Sequence, residues 1–75
     1  MNTKKLKALF SSVNEIREKG DIVFIKFDGV RENDFITIII SYPSNLNREI
    51  IRHDGNDLIE VLTNCLNDYY SQNEL

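Results

Sequence analysis

The stretch DFITIIISYP, residues 34–43, decides how this chain folds. Six of its ten residues, Phe35, Ile36, Ile38, Ile39, Ile40 and Tyr42, are large and apolar, and they fall on both parities of the sequence. Successive side chains of a strand point to opposite faces, so this strand is apolar on both. Pro43 cannot donate to a ladder and SNLN follows it, which ends the strand there. Upstream, DIVFIKFDGV (21–30) is a second β-rich run, joined to the first through Arg31-Glu32-Asn33-Asp34, with Asp28-Gly29 as an alternative turn or a bulge. Downstream, REIIRH (48–53) reads as a short third strand before an Asp54-Gly55 turn.

Helical spacing brackets these strands. Leu6, Leu9, Phe10, Val13 and Ile16 mark an amphipathic helix that Asn2 or Thr3 can cap and Gly20 can end. Leu58, Val61, Leu62, Cys65, Leu66 and Tyr69 mark another, with Asn56 or Asp57 as its cap and capping-box spacing from Asp57 to Glu60. The order α-β-β-β-α predicts an α+β domain over 1–75, a three-stranded antiparallel sheet with two helices packed on one face. Val23, Ile25 and Phe27 with Ile36, Ile38, Ile40 and Tyr42 would meet the helices. The opposite parity leaves Ile22, Phe24, Phe35 and Ile39, plus Ile50 or Ile51, without cover. Such a patch is expected to touch a second copy or another protein, the alternative being that Lys26, Asp28, Thr37 and Ser41 break it up.

The chain has 75 residues, 41% of them hydrophobic and 28% charged, the make-up of a single globular domain. A domain of this size has little volume for a deep substrate cavity. No apolar run reaches the roughly 18 residues of a membrane span, and MNTKKLKALF lacks the long apolar core of a signal peptide. The lone Cys65 cannot form an internal disulfide, so a reducing, cytoplasmic setting is expected. Residues 1–19 carry a net +3, residues 20–53 carry −1, and residues 54–75 carry −5 with no Lys or Arg. An anionic final third favours a basic protein partner over a phosphate backbone.

Chemistry-bearing groups are sparse. Cys65 and His53 are the one conceivable nucleophile and base, but Cys65 falls on the apolar stripe of the second helix, where a thiol is inert. Structural metal sites want about four Cys/His ligands, and the sequence holds one of each. Asp54, Asp57 and Glu60 lack EF-hand spacing and suit a helix N-terminus instead. The three glycines are scattered singly, so no loop cradles phosphate. Neither catalysis, metal nor cofactor is expected. Lys4, Lys5 and Lys7 crowd the start of the first helix, and Tyr69-Tyr70 offers one ring to the core and one to the outside.

The element order resembles that of double-stranded RNA-binding domains, whose second helix begins with basic residues that grip phosphates. The matching stretch here, HDGNDLIE, carries three acids, and like-charge repulsion opposes that contact. KFDGVRENDFITIIISYPSNLNREIIRHDGNDLIEVLTNCLNDYY, residues 26–70, resembles small phage anti-CRISPR proteins that inhibit Cas9 by imitating DNA. The shared features are a Lys-apolar-x-Gly approach to a hairpin, an Ile-rich second strand, an Asn-rich second turn and a closing amphipathic helix. Those proteins carry dense acidic loops and an acidic tail, whereas the second turn here is nearly neutral and SQNEL has one acid. The expected function is a small non-enzymatic protein-binding module, an inhibitor or accessory factor of a phage or mobile element. Two surfaces would serve it. One is the acidic edge with the hairpin tip and the outer tyrosine: Glu32, Asp34, Asp54, Asp57, Glu60, Asp68 and Tyr70. The other is the open sheet face: Ile22, Phe24, Phe35 and Ile39. The alternative is nucleic-acid binding through the lysines of the first helix.

Overall fold

Helix α1 (Thr3–Glu18) leads into strands β1 (Ile22–Phe27), β2 (Ile36–Ser41) and β3 (Ile51–Gly55), and helix α2 (Leu58–Asn73) follows. The structure, a computed structural model, describes residues 2–45 and 47–73; Leu46 of the second turn and Glu74 of the tail lie outside the described residues. The strands form an antiparallel sheet in the order β1-β2-β3, an α+β fold in the expected sequence of elements.

Side chains cap the helix starts, and a backbone turn closes the end of α1. Asn2 Oδ1 accepts the Lys5 N–H at 3.0 Å and caps α1. At the other end Gly20 adopts φ +87°, its N–H donates to the Arg17 carbonyl, and the Asp21 N–H donates to that of Ile16. This left-handed turn satisfies the last carbonyls of α1 and redirects the chain into β1. Asp57, not Asn56, caps α2: its Oδ1 accepts from the N–H groups of Ile59 and Glu60 at 2.9 and 3.3 Å.

Register fixes the faces. Ile36, Ile38 and Ile40 of β2 stand beside Phe27, Ile25 and Val23 of β1 and beside Gly55, His53 and Ile51 of β3. On this side they form one core with Ile16 of α1 and Leu58, Val61, Leu62, Cys65, Leu66 and Tyr69 of α2. Both helices start at one end, where Asn2 and Leu58 share a groove with Phe27 and Phe35. Both finish at the other, where the Tyr69 O–H donates to Asp21 at 2.8 Å and the Tyr70 O–H to Glu15 at 3.3 Å. There Tyr42 stacks on Tyr69 at 5.9 Å, Arg48 lies over the Tyr42 ring, and Lys19 lies over both Tyr69 and Tyr70.

Five expectations change. The third strand, expected over 48–53, begins only at Ile51, because the ladder with β2 starts at the Ile40–Ile51 pair. The turn expected at Asp54-Gly55 moves to Asn56-Asp57, because the ladder with β2 continues to the Ile36–Gly55 pair. The connection between β1 and β2 runs over residues 28–35 rather than 31–34; Asp28 accepts from the Val30 N–H and donates its own N–H to the Phe35 carbonyl. Phe27 shares the helix-facing parity yet is 62% exposed, because it ends β1 beside the helix starts, at the rim of the groove it lines. Phe35, grouped by parity with the open face, instead packs against the core beside Ile36, Leu58 and Ile59. It precedes the ladder and follows Asp34 at φ +53°, so strand alternation does not bind it.

Gly55 sets the spacing between β3 and α2. A Cβ there would stand 2.6 Å from Val61 Cγ2, well inside van der Waals contact. Gly55→Ala is expected to cost about 1–3 kcal/mol in urea unfolding. Adding Val61→Ala relieves the clash, so the double variant should be more stable than the summed single effects by at least about 0.5 kcal/mol. Simple additivity would show that the contact is not what selects glycine.

Candidate functional site

The expected acidic edge is partly assembled. Asp34, Asp54, Asp57 and Glu60 line one cleft of about 300 Å³ with Gly55, Asn56 and Asn64. The cleft forms because the β1–β2 loop is tied to the start of α2. The Asp34 N–H donates to Asn56 Oδ1 at 2.6 Å, and Asp34 takes a left-handed conformation that aspartate tolerates better than most residues. Glu32 is exposed on the same loop.

The carboxylates do different things. Asp57 is occupied as the helix cap. Asp54 is held by its neighbours on the side of the sheet away from the helices: the Thr37 O–H donates to its Oδ1, Arg52 Nε donates to Oδ2 at 3.2 Å, and Arg31 Nη1 lies 3.6 Å away. The Thr37 hydrogen bond, aided by the Arg52 contact, holds the Asp54 carboxyl below the usual carboxylate range. The hydrogen bond from the Val30 N–H does the same for Asp28, which also pairs with Lys26 at 3.4 Å. Asp68 lies apart from the cleft, along α2, where its Oδ2 is 2.6 Å from Nε2 of His53. Tyr70 is farther still; expected to face outward, it is half-buried against the core because α1 packs beside it. Among the described residues, Asp34, Glu60 and Glu32 thus remain as exposed acids outside the cap and the network.

Cys65 and His53 do not form a nucleophile–base pair through any hydrogen bond seen here. The Cys65 thiol donates to the Ile38 carbonyl at 3.7 Å, while the imidazole is directed to Asp68. Burial pushes the Cys65 thiol up to about 12. Among the described residues, no group of three or more His, Cys, Asp or Glu side chains is arranged to hold a metal ion. Among them, too, no helix is long and apolar enough to cross a membrane.

The reverse of the sheet carries Ile22, Phe24 and Lys26 on β1, Thr37, Ile39 and Ser41 on β2, and Arg52 and Asp54 on β3. Ile22 is 41% exposed and Phe24 57%. Ile50, just ahead of β3, is 60% exposed, whereas Ile51 is in the core. Thr37 is only 5% exposed on this open side, beneath the Asp54 network. The side therefore grades along the strands from Ile22 and Ser41, through the mixed row of Phe24, Ile39 and Arg52, to the polar row of Lys26, Thr37 and Asp54. Sequence reasoning missed Thr37, Arg31, Arg52 and Asn56. Register would have placed Thr37 opposite Asp54, but a loop bond such as Asp34 to Asn56 leaves no periodic signal.

No family model, curated protein or solved structure matches this chain.

Two measurements check the site. Cys65 should resist alkylation at pH 8 in the native protein and react fully in urea; equal rates would mean that the thiol is open to solvent. Because the folded-state pKa of Asp54 is depressed, its stabilising effect is present above the ordinary aspartate value and is lost as pH falls through the folded one. Between about pH 5 and pH 3, Thr37→Val and Asp54→Asn should therefore lose less stability than the wild type. An unchanged acid slope in both variants would remove Asp54 from the account.

Proposed function

We propose that this chain is a small non-enzymatic protein-binding module that takes a basic protein partner at its acidic edge. The observation that carries the reading is the convergence of Asp34, Asp57 and Glu60 on one cleft beside the loop that bears Glu32. The open side of the sheet is its second contact surface. Within this reading the chain is a cytoplasmic inhibitor or accessory factor of a phage or other mobile element, of the anti-CRISPR type that residues 26–70 resemble. Charge complementarity at such an edge acts on association rate and partner choice more than on affinity.

A second reading, nucleic-acid binding through α1, draws on the exposure of Lys4, Lys5 and Lys7 in its first two turns. The start of α2 opposes it, since the capping Asp57 and Glu60 would repel a phosphate backbone there.

The test must spare Asp57, whose loss would weaken α2 by about 1 kcal/mol and confound the result. Proteins captured from lysate on the wild type, and lost on Glu32→Lys with Glu60→Lys, should be basic and should elute as salt rises. Equal capture by wild type and double variant overturns the acidic-edge reading. Gel shifts at low salt with duplex RNA, duplex DNA and single strands should show no binding. A tight complex that weakens steeply with salt would favour the lysine-rich helix instead.

A further inference from the structure

We infer that the open side of the sheet is the interface of a reversible homodimer, formed face to face about a two-fold axis parallel to the strands. This rests on the reading of that side as a contact surface and names its occupant as a second copy of the chain.

The pattern of residues is self-complementary. Two cross-strand rows are fixed by the register: Phe24–Ile39–Arg52 and Lys26–Thr37–Asp54. A third begins with the Ile22–Ser41 pair, and continuing the β2–β3 register by one residue brings Ile50 opposite Ser41. A two-fold axis along the strands lays β1 of one subunit over β3 of the other and keeps every row at its own height. Ile22 then meets Ile50, Phe24 meets Arg52, Ile39 and Thr37 meet their own counterparts, and Lys26 meets Asp54. Apolar groups oppose apolar groups, the Phe24 ring faces the Arg52 guanidinium, which is paired with Asp54 of its own subunit, and Lys26, paired with Asp28, faces the Asp54 carboxylate, which also holds Arg31. The other in-plane axis, perpendicular to the strands, inverts the rows. It would set Arg52 against Arg52, Ile22 against Lys26 and Ile50 against Asp54, pairing like charges and burying charge on hydrocarbon. The distribution therefore selects one of the two symmetric packings. Aligned sheets cross at about 30°, which moves the outer rows by a few Å, within reach of Lys26 and Arg52.

Area sets the strength. Three strands about 4.8 Å apart, each contributing about five residues, give a footprint of roughly 14 by 17 Å. This is below the roughly 800 Å² per partner of a standard interface, so the dimer should dissociate on dilution.

Sedimentation over a wide concentration range should give the 8.8 kDa subunit mass when dilute and twice that mass when concentrated. Ile39→Lys, which places two ammonium groups on the axis, should keep the chain monomeric throughout, with an unchanged far-UV spectrum. Geometry is read by a short bis-maleimide at high concentration. Ile39→Cys should link to itself. Phe24→Cys should not, but should link in a mixture with Arg52→Cys. A single subunit mass at every concentration, or a dimer that survives Ile39→Lys, overturns the inference. Self-linking of Phe24→Cys without that of Ile39→Cys overturns the axis. Retention of basic proteins by a monomeric chain would separate failure here from failure of the acidic-edge reading.

Discussion

Burial of Ile36, Ile38 and Ile40 under two parallel-running helices is the constraint on which the molecule depends. Ile38 and Ile40 are fully buried, and each such side chain contributes about 1.5–3 kcal/mol relative to remaining in water. Two helices packed side by side, 8–10 Å apart in general, span the roughly 14 Å breadth of three strands. That geometry uses both helices on one side. The reverse side is left to its own side chains, and it meets the problem in two ways. Around Thr37 the side chains of Arg31, Arg52 and Asp54 bond to one another and cover the strand, while Lys26 pairs with Asp28. Ile39, beside Arg52 in the ladder, is half-buried, whereas Ile22 and Phe24 stay in water.

Charge follows from the same arrangement. Because both helices begin beside the β1–β2 loop, the positive ends of their dipoles lie together. Asp57 and Glu60 offset this at the start of α2, whereas α1 has no acid in its first turn and carries Lys4 and Lys5 there. One end of the molecule thus places anionic and cationic groups on adjoining helices. The opposite end is held by rings and hydrogen bonds, with Tyr69 fully buried and bonded to Asp21. That second end carries charge too, with Lys19 over the Tyr69 and Tyr70 rings and Arg48 over that of Tyr42.

How much of this could be read in advance depended on periodicity. The β-branched apolar run of β2, the stripes of α1 and α2, the stop at Gly20 and the acid cap of α2 all carry local signals, and each forms as its residues suggest. Legibility fails where a residue lies outside a repeating element. Phe35 shares the parity of Ile39 yet precedes the ladder and joins the core. Phe27 shares the parity of Ile25 but stands at a rim. Within the candidate site, the sequence named the acids but the employment of Asp57 alone, as the cap of α2. Asp54 as the centre of a cross-strand network and Asp68 beside His53 are set by distances between elements, which composition does not encode.

The joining of α1 to α2 has a consequence for how the chain comes into being. The first element in the sequence packs against the last, and β2 is enclosed only when α2 lies over it. During synthesis the hairpin can form while its isoleucine-rich side still lacks a roof, because the roof is translated afterwards. Contacts between the two extremes of a chain also carry a large loop-closure entropy, which slows the search for the native state. The nascent meander is therefore exposed to wrong partners at β2 until the final helix docks over it.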